Sequence, residues 1–89
     1  MIRKKIQIVN KLGLHARAAA KFVQSASHFQ SDINVLRNGK TVNGKSIMGV
    51  MMLAASKNAW IELKASGEDE LIAMQELEAL INNRFGEAG

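Results

Sequence analysis

The segment Gly13-Leu14-His15-Ala16-Arg17 gathers the residue types that phosphoryl chemistry needs. Histidine is among the side chains that form covalent intermediates. Arginine supplies a fixed charge and a planar fork that matches phosphate oxygens. A run of helix formers begins directly after His15: Ala16, Arg17, Ala18, Ala19, Ala20, Lys21. His15 therefore stands where a helix starts, and the first turn of a helix has unpaired backbone N–H groups and a positive dipole end. Such a terminus is a ready anion site. The dipole also works against an added positive charge, and a neutral imidazole is a nucleophile. His15, the Ala16 and Arg17 N–H groups and the Arg17 guanidinium can converge on one phosphoryl group. A plainer reading has His15 merely opening a helix and Arg17 solvated; short motifs arise by chance, and spacing alone leaves both readings open.

The elements that must position these residues follow from periodicity. Ile2, Lys4, Ile6 and Ile8 alternate with Arg3, Lys5, Gln7 and Val9, which predicts a strand with one buried face. Asn10 to Leu14 is a connection. Ala19, Phe22, Val23 and Ala26 share one helix face, and that helix is expected to run to about His28. Ile33, Val35 and Arg37 mark a second strand, Asn38-Gly39 a hairpin turn, and Lys40 to Asn43 a short return strand. Ser46 can cap a helix from Ile47 to about Ala55. A fourth strand spans Ala59 to Ala65, with Ile61, Leu63 and Ala65 on one face and Trp60, Glu62 and Lys64 on the other. Glu68, Asp69 and Glu70 open a last helix at its positive end. Leu77, Leu80, Ile81 and Phe85 carry its apolar stripe to a stop at Gly86. The order β-α-β-β-α-β-α predicts an α+β fold, one face of an antiparallel sheet carrying the helices.

Length and composition bound the answer. The chain has 89 residues, room for one domain over residues 1–89. Its 47% hydrophobic content excludes disorder as the default state. The absence of cysteine removes disulfides and cysteine-based metal sites and favours a reducing compartment. No apolar run of signal-peptide length follows the first basic residues, and Ser46 to Ser56 is too short to span a membrane, so a cytoplasmic location is expected. The net charge of +4 suits an acidic partner.

Other residues invite chemistry less strongly. Ile47, Val50 and Leu53 read as core on the short apolar helix, but Met48, Met51 and Met52 cannot all point inward from it. Methionine is flexible and suits surfaces that meet several partners. Met48, Met51 and Met52, with Ile47, Ala20, Lys21, Lys45 and Arg17, form the expected docking face. His28 lies near a helix C-terminus and reads as structural. Trp60 reads as a half-exposed packing residue. The acidic run at Glu68 reads as helix capping, since no oxygen-rich calcium loop surrounds it. No metal site and no cofactor are expected.

Gly13-Leu14-His15-Ala16-Arg17, placed after a first strand, resembles the signature of HPr, the histidine-containing phosphocarrier of the bacterial sugar phosphotransferase system. Gly39-Lys40, Gly44-Lys45-Ser46-Ile47-Met48 and Gly67-Glu68-Asp69-Glu70 also look like segments of that family, in its order. The resemblance covers nearly the whole chain. It implies an open-faced β-sandwich: a four-stranded antiparallel sheet covered on one face by three helices. It implies that His15 accepts a phosphoryl group at Nδ1 from enzyme I, itself charged by phosphoenolpyruvate, and passes it to a IIA protein or domain. Arg17 then stabilises the phosphate. Ser46 matches a serine that HPr kinase/phosphorylase modifies for regulation in many bacteria, and an output through a transcription regulator is a further use within the family. The resemblance points to a monomeric carrier rather than a stand-alone enzyme. One position departs from the pattern: the family usually has proline after the arginine, and here it is Ala18. Alanine keeps the helix and retains an N–H that proline lacks.

A nucleic-acid-binding module is the main competitor, since compact α/β sandwiches can bind RNA on an open sheet. Such sheets read bases with exposed aromatics. This chain has three Phe, one Trp and no Tyr, and Phe22 and Phe85 fall on apolar helix stripes. No nucleic-acid partner is expected. The nitrogen-related branch of the same system has its own carrier, and Gly44-Lys45-Ser46 leans towards the HPr-type branch.

Overall fold

A computed structural model describes all residues from Met1 to Gly89. The strands are β1 (Ile2–Gln7), β2 (Asp32–Arg37), β3 (Lys40–Asn43) and β4 (Trp60–Ser66); the helices are α1 (Ala16–Ala26), α2 (Ile47–Met52) and α3 (Glu70–Asn82). The sheet order is β1-β4-β2-β3, every pairing antiparallel. β4 thus lies between β1 and β2. Its register sets Ile61 opposite Ile6, Leu63 opposite Val35, and Ala65 opposite Ile33. Because side chains alternate across a strand, these residues form one apolar stripe across three strands, and all are buried.

The three helices cover that stripe. α1 contributes Ala18, Ala19, Phe22 and Ala26, and α3 contributes Ala73, Met74, Leu77 and Ile81. The other sheet face is open and polar. Trp60 is 59% exposed there, and Arg3 on β1 donates two hydrogen bonds to Glu62 on β4, each 3.1 Å. Lys4 shares the helix-facing side of β1 and reaches Glu78 of α3 at 2.8 Å. Asn38 and Gly39 both have positive φ, 51° and 79°, as a type I′ hairpin turn requires.

Several boundaries differ from the sequence expectation. α1 ends at Ala26 rather than His28, because Ser27 to Gln30 turn to reach β2. Val23 and Leu80 are half-buried. α2 ends at Met52 rather than Ala55, and Ala54 then takes φ 51°. Ile47 is not core: it is 43% exposed, while Val50 and Leu53 are buried. Ile47 shares a face with Val50, three residues on, but as the first residue of the helix it lies at the rim of the packed side rather than over it. Phe85 is not on the α3 stripe. α3 stops at Asn82, and Arg84 and Phe85 take left-handed backbone with φ 55° and 54°, which re-aims Phe85 into the core.

Within the acidic run, Asp69 has a tertiary role in place of simple capping. Asp69 stands at the N-cap of α3 but makes no side-chain cap bond. Its carboxylate accepts from the Gln30 N–H at 2.8 Å, the Ser31 N–H at 3.0 Å and the Ser31 hydroxyl. It thereby holds the turn between α1 and β2. Glu70 accepts from the Gly67 N–H at 3.1 Å, in the manner of a capping box. The Ser31 hydroxyl, then the Gln30 N–H, hold the Asp69 carboxyl below its ordinary value of 3.8. A depressed folded-state value stabilises the protein above the unfolded value, and that contribution is lost as pH falls towards the folded one. Asp69→Asn is expected to lower the thermal midpoint at neutral pH. The gap to the parent protein should close as acid titrates the parent carboxylate; a gap that stays constant down to pH 2 would contradict this role.

Candidate functional site

His15 occupies the N-cap position of α1, with φ −74° and ψ 179°, and its side chain makes no capping bond. The Ala19 N–H donates to the His15 carbonyl at 2.8 Å, so the helix is properly closed from the first turn. The N–H groups of Ala16, Arg17 and Ala18 precede the first intrahelical donor and have no helical acceptor. Ala18 itself is fully buried, and the helix begins two residues before it, at Ala16.

Two features upstream aim the segment. Gly13 has φ +68°, and a Cβ there would lie 2.4 Å from the Ala55 carbonyl oxygen and 2.8 Å from Ser56 Cα. Only glycine fits both the conformation and the approach. The Leu14 N–H then donates to that Ala55 carbonyl at 2.8 Å, and the Leu14 side chain is buried. The stretch before His15 is thus clamped against the connection between α2 and β4.

The imidazole is partly covered, its side chain 27% exposed, and Nε2 lies 2.6 Å from Glu87 Oε2. The other carboxylate oxygen of Glu87 accepts from Asn10 Nδ2 at 3.0 Å, and the second hydrogen of that amide goes to the Gly13 carbonyl at 2.8 Å. Asn10 is fully buried, and its Oδ1 has no hydrogen-bond partner. The Asn10 amide is the leading cause that holds the Glu87 carboxyl below the usual carboxylate range; burial opposes it, and the His15 N–H and the Lys21 charge act in the same direction as Asn10.

An open cavity of about 420 Å³ lies over this group, lined among others by Lys11, His15, Arg17, Lys21 and Glu87. Arg17 is exposed and enters no ion pair. Lys21 donates to the Phe85 carbonyl at 2.7 Å, which fastens the segment after α3 beside α1. His15 and Arg17, expected at one site, and Lys21, expected on the docking face, line this one cavity. Asn10, Lys11 and Glu87 were not among the candidates. Asn10 had a signal, since it continues the buried phase of Ile6 and Ile8; Glu87, 72 residues from His15 along the chain, had none.

The second candidate, Ser46, caps α2: its Oγ accepts from the Gly49 N–H at 3.1 Å. Met48 is 70% and Met52 61% exposed, with Met51 and Ile47 less so; Ala20 is half-buried. Lys45 turns away to donate to the Phe29 carbonyl at 2.7 Å. His28 is exposed.

A family model described as the PTS HPr component phosphorylation site matches residues 2–83. The phosphocarrier protein HPr of Neisseria meningitidis is 58% identical over 87 residues, 98% of each chain. The chain belongs to the HPr family. Among solved HPr structures, that from Thermoanaerobacter tengcongensis superposes with a TM-score of 0.96 at 49% identity over the whole of both chains. The Bacillus anthracis phosphocarrier HPr gives 0.87 at 44% identity, covering 90% of this chain and 95% of that one. The four-stranded open sheet with three helices is the HPr fold, and the family gives the chain a phosphocarrier role in the phosphotransferase system.

The clamp at Gly13 is open to direct test. Gly13→Ala should cost on the order of 3 kcal/mol, from left-handed strain together with overpacking against Ala55 and Ser56. Denaturant unfolding reads the loss, and the His15 ring resonances should move with it. A change of a few tenths of a kcal/mol would show that the loop relaxes freely.

Proposed function

We propose that this protein is a cytoplasmic phosphocarrier that accepts a phosphoryl group on His15 Nδ1 from phosphoenolpyruvate-charged enzyme I and delivers it to a IIA protein or domain. The observation that carries the reading is the placement of a half-exposed imidazole at the N-cap of α1, beside an unpaired Arg17, in a chain of the HPr family. The Nδ1 lone pair attacks phosphorus, and the donor's bond to phosphorus breaks with its electron pair leaving on the donor atom. The unpaired N–H groups of Ala16 and Arg17 and the Arg17 guanidinium meet the oxygens as their charge is transferred. The return step to the acceptor is the same chemistry reversed. His15 is a covalent way-station, and the partner sites complete the catalysis, so the protein is not an enzyme by itself.

The exposed methionines of α2 support a docking face that must serve a donor and an acceptor in turn. Ser46 supports a regulatory reading. A phosphate on Oγ would add up to about two negative charges next to that face, and HPr kinase/phosphorylase is the family's agent for it.

Incubation with phosphoenolpyruvate and enzyme I of the same organism, followed by intact-mass analysis, tests the reading. One acid-labile phosphoryl group is expected on the parent protein and none on His15→Ala; no gain on the parent protein would refute it. For the docking face, Met48→Glu should slow transfer about tenfold at low donor concentration, equal to a loss of about 1.4 kcal/mol in binding, with an unchanged thermal midpoint. Unchanged transfer would remove Met48 from the face.

A further inference from the structure

We infer that Glu87 is a positioning residue for His15, and that Asn10 fixes Glu87 so that the imidazole proton is held on Nε2 and the lone pair is left on Nδ1. The inference rests on the carrier reading for its functional half and on geometry alone for its structural half. An ionised carboxylate only accepts hydrogen bonds. With Glu87 Oε2 at 2.6 Å, the neutral ring must therefore carry its proton on Nε2. Nδ1, which makes no hydrogen bond within the chain, is then the nucleophile without a prior proton shift. When Nδ1 forms its bond to phosphorus, the ring becomes cationic, and the proton stays on Nε2 beside a carboxylate that neutralises the new charge.

The orientation of the relay is fixed at its far end. Both neighbours of the Asn10 amide, the Gly13 carbonyl and Glu87 Oε1, are acceptors. The NH₂ must face them, even though this leaves Oδ1 buried without a partner. An orphaned buried acceptor costs free energy, and flipping the amide would set Oδ1 against the Gly13 carbonyl. The carboxylate itself is carried by a segment tied down on both sides: Phe85 is buried, its carbonyl accepts from Lys21 Nζ at 2.7 Å, and the Lys11 N–H donates to the Gly89 carbonyl at 2.8 Å. Glu87 is 13% exposed, less than the ring it touches.

This arrangement has an unusual consequence. In Glu87→Gln the Asn10 NH₂ still demands an acceptor, so the Gln carbonyl must turn to Asn10 and its NH₂ to His15. That NH₂ donates to Nε2, which forces the proton onto Nδ1 and buries the nucleophile's lone pair in a bond to hydrogen. The near-isosteric Gln should therefore be worse than Ala, which removes the contact and leaves the ring free to choose.

Nitrogen-15 NMR of the His15 ring at neutral pH reads the tautomer with no phosphoryl donor present. The expected result is Nε2–H in the parent protein and Nδ1–H in Glu87→Gln. Single-turnover phosphorylation by charged enzyme I should then be slowed on the order of tenfold or more in Glu87→Gln and less in Glu87→Ala. A parent ring protonated on Nδ1, or a Glu87→Gln ring that keeps its proton on Nε2, would overturn the inference whatever the transfer rates. Equal rates in the two variants would overturn its functional half. Failure of the parent protein to accept phosphate would instead refute the carrier reading, which the tautomer measurement does not depend on.

Discussion

The Leu14 N–H bond to the Ala55 carbonyl joins two segments that the fold must bring to one place: the approach to α1 and the exit from α2. It lies just beyond the end of the β1–β4 ladder. The Ile8 N–H donates to Ala59 at 2.9 Å and the Asn58 N–H to Ile8 at 2.7 Å, so the pairing of β1 with the chain before β4 continues past the strand limits. A one-residue slip in that pairing would turn Ile6, Ile8 and Asn10 from the covered face to the open one. The placement of His15 is thus tied to a register set by apolar burial on three strands, and Gly13 is the residue that lets the two segments touch.

Asn10 shows what that constraint costs. It stands at a position whose phase calls for an apolar side chain, it is fully buried, and its Oδ1 has no partner. An unsatisfied buried acceptor costs about 1–3 kcal/mol, a large share for a domain stabilised by only about 5–15 kcal/mol. An apolar residue would avoid that cost and strand the Gly13 carbonyl and Glu87 Oε1 without a donor. The amide satisfies two acceptors with one nitrogen, one on the loop before His15 and one on the segment after α3. A polar side chain in the core is thus the link between two regions far apart in sequence.

Much of this was legible in the sequence because it rests on local rules. Period-two alternation marked β1 and β4, the Asn38-Gly39 pair marked the β2–β3 turn, and Ser46 marked the start of α2. His15 and Arg17 were legible because a helix start next to a histidine is a local chemical statement. What was not legible depends on tertiary contact. Asp69 looked like a cap, but Ser31 and Gln30 arrive from a distant turn and take its oxygens. Phe85 fitted the helical period of α3, but left-handed residues end that helix and drive the ring inward from a separate turn. Glu87 had no periodicity to betray it, since its meaning comes only from what Phe85 and Lys21 bring it against.

The same physics explains why α2 is the uneven part of the molecule. A helix of six residues packed along one side can bury few side chains, and here only Val50 within it is buried. Met48, Met52 and Ile47 are left facing out, while the open sheet face, which has ample room for apolar contact, is instead laced with Arg3, Lys5, Glu62 and Lys64. Ile47, Met48, Met51 and Met52 are all exposed on this one short helix, a clustering of the kind that suits an interaction site. A carrier gains from keeping that surface small and its side chains pliable: a large rigid patch would hold one partner too long, whereas charge around the histidine speeds encounter more than it prolongs the complex. On the proposed carrier reading, Arg17 and Lys11, both exposed at the cavity that holds His15, would serve encounter, and the methionines a brief and adaptable hold.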